Sequence, residues 1–338
     1  MKAGVYRGPE ALQVEDWPVP QLASGEVLVR VRYAGICGTD ILIRRGKHPR
    51  VVPPRVLGHE IFGAVAEASP PADVVWKPGR RVAVYPLISC GRCAPCREGA
   101  SHVCEKLGLI GIDVDGGIAE YVKAQPDQLF AVPDSVRDAQ AALVEPLSVA
   151  VHVVRTSGFR PGDTALVTGA GPIGNLIAQV LKASGARATV ISEVKGFRRE
   201  FVERRGFATV DPSREDLHET LRAATGERCV DRVYEASGAP GVYRDAVQAC
   251  RVRGEITFVG LPKAPPEVDV LSLVFKEIRT TGARVYERRD YQVAIALLER
   301  GAVDVEPLIT DQLPLEDVES GFQKMQEAET SLKILFAP

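Results

Sequence analysis

The stretch from Thr164 to Glu193 leaves a chain like this little freedom. Thr164-Ala165-Leu166-Val167-Thr168 is a short apolar run of strand character, and Gly169-Ala170-Gly171-Pro172-Ile173-Gly174 follows it at once. Helical character then runs from Asn175 to Ala183, and a second apolar strand, Ala188 to Ser192, ends against Glu193. G-x-G-x-x-G alone is a weak pattern; between a strand and a helix, with an acid nineteen residues after Gly174, it is a specific one. Gly169 permits the tight turn, Gly171 lets the backbone approach a pyrophosphate, and Gly174 lets helix and strand pack closely. The helix N-terminus offers its unpaired amides to the phosphate charge.

This segment therefore predicts a dinucleotide site built on Gly169, Gly171, Pro172, Ile173, Gly174, Glu193 and Arg198. Glu193 can accept hydrogen bonds from the adenosine ribose, which favours NAD over NADP because a 2′-phosphate would face a carboxylate. Arg198 and Arg199 could instead pair with that phosphate, so NADP stands as the alternative.

With 338 residues the chain exceeds what one hydrophobic core usually holds, and its pattern changes midway. Before residue 150, Val27 to Tyr33 alternates apolar and charged residues, and Ile61–Ala68 and Arg81–Tyr85 are further short runs bounded by Gly or Pro. Such punctuation predicts a barrel-like or sandwich-like β domain. After Pro161 strands and helices alternate, through Val230–Tyr234 and Ile256–Val259, as a parallel sheet covered by helices requires. A helix over Gln292–Arg300 and the apolar run Lys333-Ile334-Leu335-Phe336 close the chain.

A net charge of -2 gives no basic footprint for nucleic acid or an anionic membrane surface. No apolar run is long enough to cross a bilayer, and the first residues lack a signal peptide's apolar core. A cytoplasmic protein is expected.

Four of the seven cysteines, Cys90, Cys93, Cys96 and Cys104, form C-x2-C-x2-C-x7-C in a Gly- and Pro-rich loop. Four thiolates at this spacing suit one tetrahedral, coordinatively closed zinc, a site that holds structure and does no chemistry. An iron–sulfur cluster is the rival, but the bacterial ferredoxin run places its last cysteine three residues on and follows it with proline, whereas Glu105 follows Cys104. His102 is a bystander in this reading. Cys229 and Cys250 lie in apolar surroundings and read as buried spectators.

Gly35-Ile36-Cys37-Gly38-Thr39-Asp40 and Gly58-His59-Glu60 supply a thiolate, an imidazole and a carboxylate, each unremarkable alone. Taken with the cysteine loop, Glu145-Pro146, the glycine turn and Glu235-Ala236-Ser237-Gly238, their order resembles the zinc-containing medium-chain dehydrogenases over essentially the whole chain, above all the sorbitol, threonine and related polyol enzymes. The resemblance implies a GroES-like β-barrel catalytic domain over 1–150 with the structural-zinc loop, a Rossmann doubly wound domain over 151–288, and a return to the first domain over 289–338. Zinc and nicotinamide would meet between them. Two zinc ions per chain are implied, with Cys37 and His59 on the catalytic one and Glu60 and Glu145 sharing the remaining position.

Such a site would make a bound alcohol acidic and let hydride pass to the nicotinamide of NAD. Thr39 resembles the hydroxyl that begins the family's proton relay. There the pattern departs: Leu42 stands where the threonine and sorbitol enzymes commonly carry a histidine, so Thr39 would hand its proton through the ribose to His48 or to water. Arg284 and Tyr286 occupy the place of the polyol enzymes' pocket-lining Arg-Tyr pair, one position out of step. His152 reads as a helix-packing residue and His218 as surface. The resulting expectation is a homodimeric or homotetrameric dehydrogenase acting on a secondary alcohol of a polyol, sugar or cyclitol. The competing readings are an NADP-dependent ketone reductase and a non-enzymatic NAD- and zinc-binding scaffold.

Overall fold

Val27 to Tyr33 forms the strand its alternation predicts: in Val27–Gly35 the side chains of Val27, Val29 and Val31 are buried, while Arg30 and Arg32 face solvent. The structure, a computed structural model, describes residues 1–327 and 330–338. Around Val27–Gly35 a seven-stranded sheet assembles in the order 129–131, 81–84, 60–68, 27–35, 333–337 and 309–314, with 121–124 also pairing on 27–35. Its core includes Val29, Ile61, Val84, Ile118, Phe322 and Phe336. The strand Lys333–Ala337 thus returns from the far end of the chain to lie beside Val27–Gly35.

Contacts divide the chain into two units, Met1–Glu145 with Glu287–Pro338, and Pro146–Tyr286. The divisions expected at 150 and 288 fall inside the helix Val144–Thr156 and at the first residue of the helix Arg288–Glu299, so no loop marks either in the sequence. In the first unit Tyr291 of that second helix is fully buried, donates its hydroxyl to the Val84 carbonyl at 2.8 Å and packs edge-on to Tyr85.

The second unit contains a six-stranded sheet in the order 208–210, 188–192, 164–168, 230–235, 250–258 and 279–282, parallel throughout. Numbered along this unit the order is 3-2-1-4-5-6, the doubly wound dinucleotide-binding arrangement. Strands Thr164–Thr168 and Ala188–Ser192 match their expected bounds. The helix after the glycine turn begins earlier than expected, at Pro172, because a proline's fixed φ and missing N–H suit the first helical position.

Candidate active site

The glycine turn sits between strands 164–168 and 230–235, where the strand order reverses and ligands of open α/β sheets bind at the carboxyl ends. Gly169 has φ +93, and a Cβ on Gly174 would lie 1.9 Å from the Gly169 carbonyl oxygen, so neither position admits a side chain. Glu193 is buried and spans the turn. One carboxylate oxygen accepts from the Ala170 amide at 2.8 Å, the other from the Lys195 amide at 2.9 Å. Arg198 reaches to 3.8 Å from Glu193, while Arg199 is spent on the Glu193 and Val194 carbonyls and on Asp211.

Cys90, Cys93, Cys96 and Cys104 converge, with all four sulfurs within 4.8 Å of one another and no disulfide among them. The amides of Cys90 and Lys106 each donate to the Cys104 sulfur at 3.3 Å. Amides of Arg92 and Cys93 bring the Cys90 thiol down to about 6. Four converging sulfurs, with Cys90 and Cys93 shifted toward the thiolate by backbone donors, fit a tetrahedral zinc. His102 stays out of this cluster, with its Nδ1 3.9 Å from a Glu287 carboxylate oxygen.

In the same unit Cys37 precedes the short helix Gly38–Arg44, and His59 immediately precedes the strand Glu60–Ala68, which Glu60 opens. Cys37 and His59 are brought together, close enough for the sulfur to raise the pKa of the imidazole. Asp40 accepts from the Cys37 amide at 2.8 Å through one oxygen, and its other oxygen lies 3.7 Å from His59 Nδ1. Burial alone would depress the imidazole, but Asp40, Cys37 and Glu145 outweigh it and hold the His59 pKa well above the ordinary histidine range. His59 Nδ1 and Asp40 Oδ1 are buried and lack a hydrogen-bond partner. Two carboxylates and a sulfur gathered on one buried imidazole form a donor set that a divalent cation satisfies, so these residues fit a metal.

Glu60 is engaged elsewhere. Lys333 Nζ lies 2.6 and 2.7 Å from its two carboxylate oxygens and 2.9 Å from the Ile36 carbonyl, all in the interior. Gly35 makes room for this pair, since a Cβ there would meet Glu60 Oε2 at 2.0 Å. Burial presses the ammonium toward neutrality, yet the charges of Glu60, Cys37 and Glu145 keep its pKa raised. Glu145, buried on the first turn of Val144–Thr156, is close enough to act on both His59 and Lys333.

Thr39 is half-buried beside Cys37. His48 is half-exposed, with Nδ1 accepting from the Arg50 amide at 3.3 Å. Tyr286 is fully buried and Arg284 exposed; His152 is buried, and His218 bonds the Arg228 carbonyl at 2.9 Å. Cys250 is fully buried as expected, but Cys229 is only half so, because it stands just outside the sheet before Val230.

Two residues of this site went unassigned in the sequence. Asp40 lies inside the Gly35–Asp40 motif without a role there. Lys333 had a signal: one charge opening an otherwise apolar core strand needs a buried partner.

The alcohol dehydrogenase GroES-like domain family matches residues 23–134, and the zinc-binding dehydrogenase family matches residues 172–300. A 2-dehydro-3-deoxy-L-galactonate 5-dehydrogenase of Pseudoalteromonas atlantica is 37% identical, over 99% of this chain and 98% of its own. The sorbitol dehydrogenase of Bacillus subtilis is 33% identical, over 100% and 97%. A solved Escherichia coli CFT073 structure, described as a short chain alcohol dehydrogenase complexed with NADH, superposes with a TM-score of 0.93 at 30% identity, covering 100% of this chain and 99% of that one. The chain belongs to the zinc-containing medium-chain dehydrogenases, in their polyol and threonine dehydrogenase branch. It is a zinc-dependent oxidoreductase that oxidises alcohols with a nicotinamide cofactor.

Proposed function

We propose that this protein oxidises a secondary hydroxyl of a polyol, sugar or sugar acid with NAD, at a zinc held by Cys37, His59 and Glu145. One observation carries the ligand set: both oxygens of Glu60 are taken by Lys333, which leaves Glu145 as the carboxylate acting on the Cys37–His59 pair. Zinc there supplies Lewis acidity that eases loss of the substrate hydroxyl proton.

The remaining work falls to the chain. Asp40 stands beside the His59 ring, Oδ1 3.7 Å from Nδ1, where a carboxylate can orient a metal-binding histidine. Thr39 receives the hydroxyl proton and passes it toward the ribose, with His48 or water as the outlet. Glu193 accepts from the ribose hydroxyls, and the turn of Gly169, Gly171, Pro172, Ile173 and Gly174 cradles the pyrophosphate. Cys90, Cys93, Cys96 and Cys104 hold a second, structural zinc.

Support for a sugar-type substrate comes from the galactonate and sorbitol enzymes among the relatives. A panel of polyols, aldoses, cyclitols and sugar acids, followed by NADH absorbance with and without chelator, tests the reading. Chelator-sensitive turnover of at least one of them upholds it, and its absence across the panel rejects it.

A second reading, ketone reduction with NADP, draws on Arg198, which stands 3.8 Å from Glu193 where a 2′-phosphate could pair with it. A higher kcat/KM with NADPH than with NADH would favour it.

We also infer a homodimer or homotetramer in the cytoplasm. Val270, Leu271, Val274 and Phe275, on the helix Val270–Phe275, are 62–79% exposed, an apolar surface suited to a second copy. The seven cysteines are all unpaired, as a reducing compartment keeps them. No described helix is long and apolar enough to cross a membrane.

A further inference from the structure

At the end of the parallel sheet opposite the glycine turn, the second unit carries a pocket of about 510 Å³ lined by Arg160, Arg232, Arg251, Arg253, Arg279 and Glu277. Arg232, Arg251 and Arg279 stand at or near the amino ends of the neighbouring strands 230–235, 250–258 and 279–282, and Arg160 lies just before 164–168. We propose that this pocket binds an oligophosphate, two or more linked phosphates, either free or as the tail of a nucleotide.

The charges are layered. Arg232 is held at 2.8 Å by Asp163 and at 3.0 Å by Glu255, and Arg251 at 2.6 Å by Asp231. None of these three acids lines the pocket, so they fix the guanidinium groups from behind and leave their remaining N–H donors available. Among the described residues neither Arg160 nor Arg279 forms an ion pair, and both are exposed. Glu277, the one lining acid, pairs with Arg253 at 3.5 Å with both side chains about three-quarters exposed, a contact an incoming anion can displace.

A solvated basic patch would need no unusual backbone, and this pocket has one. Between Val230 paired with Cys250 and Arg232 paired with Glu255 the register slips, so that Arg251 to Gly254 bulge from the strand. Arg253 has φ +56 and Glu277 φ +48, two of the four non-glycine residues in the left-handed region among the described residues. Side chains are rarely placed there without compensation, and such outliers gather at functional sites. The bulge is also fastened. The Arg253 amide donates to the Lys276 carbonyl at 2.7 Å, and Lys276 Nζ donates to the carbonyls of Val247, Gln248 and Cys250. Guanidinium groups fixed before a ligand arrives are what bidentate recognition of phosphate oxygens requires. No aromatic or aliphatic side chain lines the pocket to hold a base or a sugar, so the phosphates are the recognised part.

The test is calorimetric titration of the full-length enzyme with inorganic tripolyphosphate, in the presence of saturating reduced nicotinamide cofactor so that the glycine turn is occupied. One further site per chain is expected, weakened at least tenfold in R160S/R279S while cofactor affinity stays unchanged. ATP in place of tripolyphosphate distinguishes the sources: equal affinity means free and nucleotide-borne phosphates are taken alike, and tighter ATP binding means a nucleotide; both uphold the site. Arg253→Gly supplies a second arm, since glycine relieves the left-handed backbone; it should raise Tm and still weaken tripolyphosphate binding. Absence of a second site, displacement of tripolyphosphate by the cofactor, or unchanged affinity in both variants would overturn the proposal.

Discussion

Lys333 and Glu60 form a closed ion pair in the protein interior, the ammonium within 2.7 Å of both carboxylate oxygens although 273 residues separate them in the chain. Removing either partner strands a buried charge. Lys333→Met should therefore cost about 3–5 kcal/mol in urea unfolding. The double variant K333M/E60Q should recover part of that loss, because a neutral amide is far cheaper to bury than an unpaired carboxylate. A double variant no better than the single one would mean that Lys333 acts through packing of its methylenes.

Elemental analysis should return two zinc ions per chain. Cys37→Ser should remove one of them and lower turnover by ~10³-fold, the equivalent of roughly 4 kcal/mol. Cys93→Ser should remove the other, and its main effect should be on Tm, since four converging sulfurs leave no open coordination position.

Glu193→Ala tests the cofactor assignment. Loss of charged hydrogen bonds to the ribose should lower kcat/KM for NAD by about tenfold or more. Because Glu193 also accepts from the Ala170 and Lys195 amides, the loosened turn will affect both cofactors. The informative quantity is the NAD-to-NADP ratio, which should fall. A ratio that does not move would exclude Glu193 from discriminating between them.

Asp138 sets an acid dependence of stability. It accepts from Arg32 at 2.6 Å and from Arg81 at 2.7 Å. Burial alone would raise its pKa, but the two guanidinium groups outweigh it and hold it below the ordinary aspartate value of 3.8. A folded-state pKa below the unfolded one stabilises the native state above the unfolded value, and the benefit is lost as pH falls through the folded one. Asp138→Asn should cost about 1 kcal/mol above about pH 5, discounted for partial exposure. The gap from the parent protein should narrow below pH 3.8 and close in stronger acid. A gap independent of pH would show that charge is not the cause.

How much of this was legible from residues alone follows from how local each signal is. Thr164–Thr168 and Ala188–Ser192 could be read to the residue because buried parallel strands are short apolar runs closed by glycine or a charge. The helix Arg288–Glu299 begins four residues before the apolar period predicts, since its first turn, Arg288 to Tyr291, carries three charges. Cys37, His59 and the four loop cysteines could be singled out because their spacing and order carry information. The proposed preference for Glu145 over Glu60 could not be read, because it depends on Lys333, 273 residues beyond Glu60 in the chain. The arginine pocket was invisible for the same reason: its members come from four separate segments and look like ordinary surface charge.

The strand Lys333–Ala337 lies inside the first unit's sheet, between 27–35 and 309–314, while residues 146–286 form a unit of their own. During synthesis the ribosome therefore delivers everything the inserted unit needs well before the surrounding one can close. Until residue 337 has emerged, the nascent chain must keep the Ala34–Gly35 end of the strand Val27–Gly35 unpaired on one side and Glu60 without its counter-ion. The growing polypeptide is most exposed to misassembly in that interval, and loss of residues 333–337 would leave it there permanently.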